Sequence, residues 1–75
     1  SYNDNVFIGQ ILPHGANKKI AEITGVSEQT ICKFFKTGKA GAETTAKILE
    51  ASKPFAEYSK NILREEIKLI NLLKK

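Results

Sequence analysis

The chain has 75 residues, 41% hydrophobic and 27% charged, proportions of a folded globular domain and too mixed for a disordered tail. One cysteine, Cys32, and one histidine, His14, exclude an internal disulfide framework and the clustered ligands of a structural zinc site, so packing must supply the stability of a core near the lower size limit. A net charge of +4 and a pI of about 9.3 favour acidic partners, nucleic acid first among them.

No apolar run approaches the roughly 18 residues of a membrane span, and the opening SYNDNVFIG lacks the basic start of a secretory signal. The expectation is an intracellular protein, cytoplasmic or nucleoid-associated, with no membrane partner, no cofactor and no metal.

In chain order, Asp4 is placed to cap a first helix, Asn5 to Leu12, with Val6, Phe7 and Ile11 or Leu12 inward; Pro13 and Gly15 then stop it. Asn17 starts a second helix, Lys18 to Thr24, with Ile20, Ala21 and Ile23 or Thr24 inward, and Gly25 ends it. Ser27 is the expected N-cap of a third helix. Thr37 to Gly41 reads as a loop and Ala42 to Ser52 as a fourth helix, with Ala46 and Ile48 or Leu49 inward. Lys53-Pro54 is the predicted break, because proline disfavours helical geometry in the residue before it and suits a new first turn. A longer last helix then runs from Phe55 to Leu73. With no strand alternation and no repeat, the expected fold is all-α: a compact single domain of five helices.

The third helix has two unlike faces. At about 100° per residue, Ile31, Phe34 and Phe35 cluster on one side, while Gln29, Cys32, Lys33 and Lys36 lie opposite. Five lysines (18, 19, 33, 36 and 39) against Glu22 and Glu28 concentrate the excess charge between Asn17 and Lys39. As isolated residues these lysines read equally as solvated surface. Their placement beside Glu28 and Gln29, at the helix end that enters a groove first in helix-turn-helix docking, is what singles out Lys33.

Residues Asn17 to Lys36, NKKIAEITGVSEQTICKFFK, resemble the bihelical unit of helix-turn-helix repressors of the lac-repressor and phage-repressor/Cro kind. Ala21 stands where the two helices cross, Gly25 at the turn, and Val26, Ile31 and Phe34 at the buried positions that follow. A larger side chain at Ala21 would push the helices apart, and a Cβ at Gly25 would resist the turn. The segment FFKTGKAGAETTAKILEA is similar to the passage that follows in phage-repressor domains. The resemblance implies a DNA-binding transcriptional regulator, a repressor of phage or mobile-element type, with the third helix in the major groove of double-stranded DNA.

On that resemblance Glu28, Gln29 and Lys33 read bases: Gln29 pairs with an adenine edge, Lys33 donates to guanine, and Glu28 accepts from cytosine. Glu28 also reads simply as a complement to the helix dipole. Asn17, Lys18, Ser27 and Thr30 are placed to hold phosphates, with Lys36 and Lys39 adding nonspecific attraction. Cys32, with no redox partner nearby, reads as a small unreactive residue.

On the last helix the apolar residues from Phe55 to Leu73 span an arc of roughly 220°, where a surface helix needs little more than about 100°. Part of that face, Ile62, Leu69, Leu72 and Leu73, is expected to pack on a second copy, giving a homodimer that reads a pseudo-palindrome. The alternative is a protein-interaction module in which the helix-turn-helix is scaffold, as in an antitoxin-like or subunit-bridging role. Scattered carboxylates and single His and Cys residues do not suggest an enzyme.

Overall fold

The computed structural model describes residues 1–74. Four helices follow one another: α1 (Tyr2–Ile11), α2 (Ala16–Thr24), α3 (Glu28–Thr37) and α4 (Ala42–Leu73). The all-helical expectation holds among these residues; the count of five does not, because Lys53-Pro54 does not divide the chain. Pro54 lies inside α4, a single helix of 32 residues.

Proline there removes one backbone donor, leaving the Glu50 carbonyl without its partner, a defect that costs about 3 kcal/mol in a helix interior. Packing overrides it. Ala51 and Phe55, one on each side of the proline, both pack against the core and so hold the two halves of α4 in line. At a rise of about 1.5 Å per residue, 32 residues span about 48 Å, and the longest dimension of the molecule is 48 Å. The helix therefore runs the full length of the protein, and α1 lies beside its second half, where Phe7 and Ile11 share a groove with Leu63 and Ile67.

Two helix starts also lie earlier than the sequence suggests. Ser1, not Asp4, caps α1: the Asp4 N–H donates to Ser1 Oγ at 3.4 Å, and the Asp4 carboxylate returns the favour at the Ser1 nitrogen at 3.3 Å, a reciprocal capping box. Contact with the Ser1 side chain, then with the terminal ammonium, holds the Asp4 carboxyl below the ordinary carboxylate range. Helix α2 begins at Ala16 rather than after Asn17, because Gly15 supplies a left-handed N-cap (φ 84°) that frees Ala16 to pack inward.

The core is small: Ala16, Ile20, Ile31, Phe34, Phe35 and Ile48 are the buried apolar residues. They come from α2, α3 and α4. Around them Ile8 and Leu12 of α1 pack as half-buried residues. Two side chains expected inside are not: Phe7 is 59% exposed, and Ala46 is exposed while its neighbour Ile48 is buried; of Ile23 and Thr24, it is Thr24 that is half-buried. Val6 is half-buried. In place of Phe7, Ile8 packs on the core, followed by Leu12, one of the two positions expected there, because Gly9 brings α1 against Phe35. A Cβ on Gly9 would lie 2.8 Å from Phe35 Cγ, closer than packed carbon atoms approach.

A serine closes the core. Ser52 is 2% exposed, and its hydroxyl donates to the Ile48 carbonyl one turn back, at 2.6 Å, which satisfies the buried hydroxyl inside its own helix.

Candidate nucleic-acid interface

Helices α2 and α3 meet at a three-residue turn, and the turn is held by side chains the sequence marks for it. Gly25 takes φ 76° and ψ 2°, and its N–H donates to the Ala21 carbonyl at 2.9 Å, closing α2. Thr24 Oγ1 donates to the Ile20 carbonyl at 2.8 Å and accepts from the Val26 N–H at 3.2 Å. Ser27 then caps α3, its Oγ accepting from the Thr30 N–H at 3.2 Å. The next helix thus starts in a fixed direction.

Burial of Ile31, Phe34 and Phe35 sets the rotation of α3 about its axis. Glu28, Gln29, Lys33, Lys36 and Thr37 are consequently exposed together, and with Cys32 they line one shallow concavity of about 510 Å³. The three residues assigned to base reading, Glu28, Gln29 and Lys33, thus share one face with Lys36. Glu28 in the first turn and Lys36 in the last also lie in the favourable sense for the helix dipole.

The backbone-holding group is more divided. Ser27 Oγ donates its proton to Thr30 Oγ1 at 2.8 Å while accepting from the Thr30 N–H, so its hydroxyl is spent on the cap. Thr30, exposed, keeps its own hydroxyl proton and is the better phosphate donor of the pair. Asn17 is half-buried, and its Nδ2 donates to Cys32 Sγ at 3.4 Å across the α2–α3 seam. Cys32 therefore points toward α2 and is half-buried, not a member of the fully outward face. Lys18 is exposed.

Lys39 lies apart from this group. Its ammonium sits 5.2 Å from the centre of the Tyr2 ring, a cation–π contact that ties the loop after α3 to the start of α1. Asn5 reinforces the tie, donating through Nδ2 to the Gly38 carbonyl at 3.1 Å. Neither contact follows from sequence periodicity, because each joins residues more than thirty positions apart.

Among the described residues, ion pairs between side chains are confined to α4. Lys47, Lys53 and Lys68 each pair with a glutamate three or four positions back along that helix. Lys18, Lys19, Lys33, Lys36 and Lys39 make no such pair. Five lysines against Glu22 and Glu28 leave the α2–α3 region with a net positive charge.

Among the described residues there is no group of three or more His, Cys, Asp or Glu side chains able to hold a metal ion, and no helix is long and apolar enough to cross a membrane. The four residues assigned to self-association, Ile62, Leu69, Leu72 and Leu73, are 40%, 56%, 66% and 76% exposed; Ile62 lies beside Ile11 and Pro13 at the end of α1. Set against protein-family models, curated proteins and solved structures, the chain matches none.

Proposed function

We propose that this protein is a sequence-specific DNA-binding regulator of the repressor type, which acts by occupying its site with α3 in the major groove. One observation carries the reading: the side chains of α3 left over once the core is filled, Gln29, Lys33 and Lys36 with Glu28, are exposed together at the end of a fixed helix pair, and their lysines lack acidic partners. Gln29 suits an adenine edge and Lys33 guanine O6 and N7. Lys18, Thr30 and Lys36 supply phosphate contacts, and Lys39 joins them by leaving Tyr2.

One such domain touches few bases. The proposal extends to self-association through the exposed apolar surface of α4, Ile62, Leu69, Leu72 and Leu73, so that more than one α3 is presented to a site. A second reading, an interaction module with the helix pair as scaffold, is favoured by that same surface alone. Selection of bound sequences from a random duplex library separates the two. A recovered motif of a few base pairs supports the DNA reading; absence of binding to any duplex at low salt removes it and leaves the interaction module.

A further inference from the structure

Beyond about residue 60, α4 has exposed side chains on every side, and these fall into two faces of opposite charge. The first forms a groove of about 580 Å³ between α1 and α4, with Phe7, Ile11, Leu63 and Ile67 as its apolar floor. Lys60, Arg64 and Lys68 line the same groove against one acid, Glu57. Lys68 is paired with Glu65 at 3.4 Å; Lys60 and Arg64 make no ion pair among the described residues. The second face carries Tyr58, Ile62 and Leu69 with Glu65 and Glu66 and no base. At about 100° per residue the centres of the two faces lie roughly 165° apart around the helix.

A twofold pair with its α4 helices parallel sets each face against its own copy. On the first face Lys60 and Arg64 would meet Lys60 and Arg64; on the second, Glu65 and Glu66 would meet themselves. The seam between the faces does no better. On the seam that carries Ile62, Ile70 and Leu73, Glu66 lies among them, so a symmetric parallel pair there would bury Glu66 beside Glu66, and an unpaired buried charge is costly. Cross-matching removes the conflict: the acidic face of one copy laid in the basic groove of the next covers apolar surface on both and sets unlike charges together.

We infer that copies of this chain associate head to tail, the Tyr58–Ile62–Leu69 face with Glu65 and Glu66 of one copy docking in the α1–α4 groove of the next beside Lys60 and Arg64. This rests on the self-association part of the function proposed above and specifies its geometry. The two faces lie nearly opposite each other on one helix, so each copy added leaves a further face open. Such contacts are heterologous and do not close at two chains.

Sedimentation of the full chain from micromolar to submillimolar concentration reads this directly: the mean mass rises past two chains without a plateau. A plateau at two chains overturns head-to-tail docking while leaving self-association in place; a monomer throughout removes both. Neither result bears on DNA binding, which the duplex selection measures separately. The charge logic is tested by Lys60→Glu/Arg64→Glu and Glu65→Lys/Glu66→Lys, each weakening association about tenfold or more alone. Mixed in equal amounts, the two reversed chains again offer an acidic face to a basic groove and a basic face to an acidic one, and association returns. A mixture no stronger than its components overturns the pairing. All four residues are exposed and outside the core, so helicity by circular dichroism should match the parent. Added salt gives an independent reading on the unmutated chain: charge-matched faces part as ionic strength rises, and unchanged association overturns their role.

Discussion

Gly25 and Gly38 have the same backbone conformation, φ 76°, and different surroundings, and the comparison isolates what a single hydrogen-to-methyl change does. At Gly25 an added Cβ meets nothing within 4 Å; at Gly38 it would run into the backbone of Tyr2. Gly25→Ala should therefore cost only the left-handed strain, about 1 kcal/mol. Gly38→Ala carries the same strain and must also displace the start of α1, with overpacking adding about 1–3 kcal/mol. Urea denaturation of the two variants checks the order, and equal losses would show that the contact between α1 and the loop after α3 does not matter. The same residue-level logic separates Ser27 from Thr30. Ser27→Ala removes the cap of α3 and should cost about 1 kcal/mol of stability. Thr30→Val leaves the Ser27 Oγ acceptor in place for the Thr30 N–H, so its expected effect is weaker duplex binding with a much smaller change in the urea midpoint.

Helix α4 joins two functions in one element: its first half completes the core through Ile48 and Ser52, and its second half carries the exposed apolar faces. Pro54 sits between them, itself exposed. Because packing on both sides already holds the helix straight, Pro54→Ala should restore a backbone hydrogen bond to Glu50 at no packing loss and stabilise the protein by up to about 3 kcal/mol. Thermal unfolding reads it, and a lower melting temperature would show that the proline is needed where it is. The sequence was most legible where local chemistry and burial agree: Gly25, Ser27, Ile31 and Phe34 identify the helix pair because turn geometry, capping and core spacing all point the same way there. It misled at Pro54, where a strong local rule is overridden by contacts of Ala51 and Phe55 with residues far along the chain. At α1 it placed Phe7 inside where Ile8 packs, since Gly9 is silent in a hydrophobic pattern and its approach to Phe35 turns the helix. The outward face of α3 was readable from periodicity, whereas the Asn17–Cys32 and Lys39–Tyr2 contacts depend on how separate helices meet.

At the scale of the whole molecule, the lysines of α2 and α3 make no ion pair among the described residues, whereas on α4 Lys47, Lys53 and Lys68 are paired with glutamates and Lys60 and Arg64 are not. If the α3 face meets DNA, the logarithm of affinity should fall linearly with the logarithm of salt concentration, with a slope of about 0.9 per phosphate contacted. Lys36→Ala should lower that slope by about one phosphate and weaken all sequences alike. Gln29→Ala with Lys33→Ala should instead flatten the preference between sequences, each lost base contact being worth about 1–3 kcal/mol of discrimination. Cutting the chain after Asn61 tests how the two ends cooperate. Residues 62–74 are exposed and none belongs to the buried core, so the four-helix body should remain folded and keep its contacts with one half-site. The apolar faces that link copies would be lost, and with them the gain each bound copy gives its neighbour. On a duplex bearing several adjacent half-sites, the full chain should therefore fill them over a narrower concentration range than the truncated one, while both bind an isolated half-site with comparable affinity. Identical titration curves on the multiple-site duplex would mean that the exposed half of α4 serves something other than DNA occupancy.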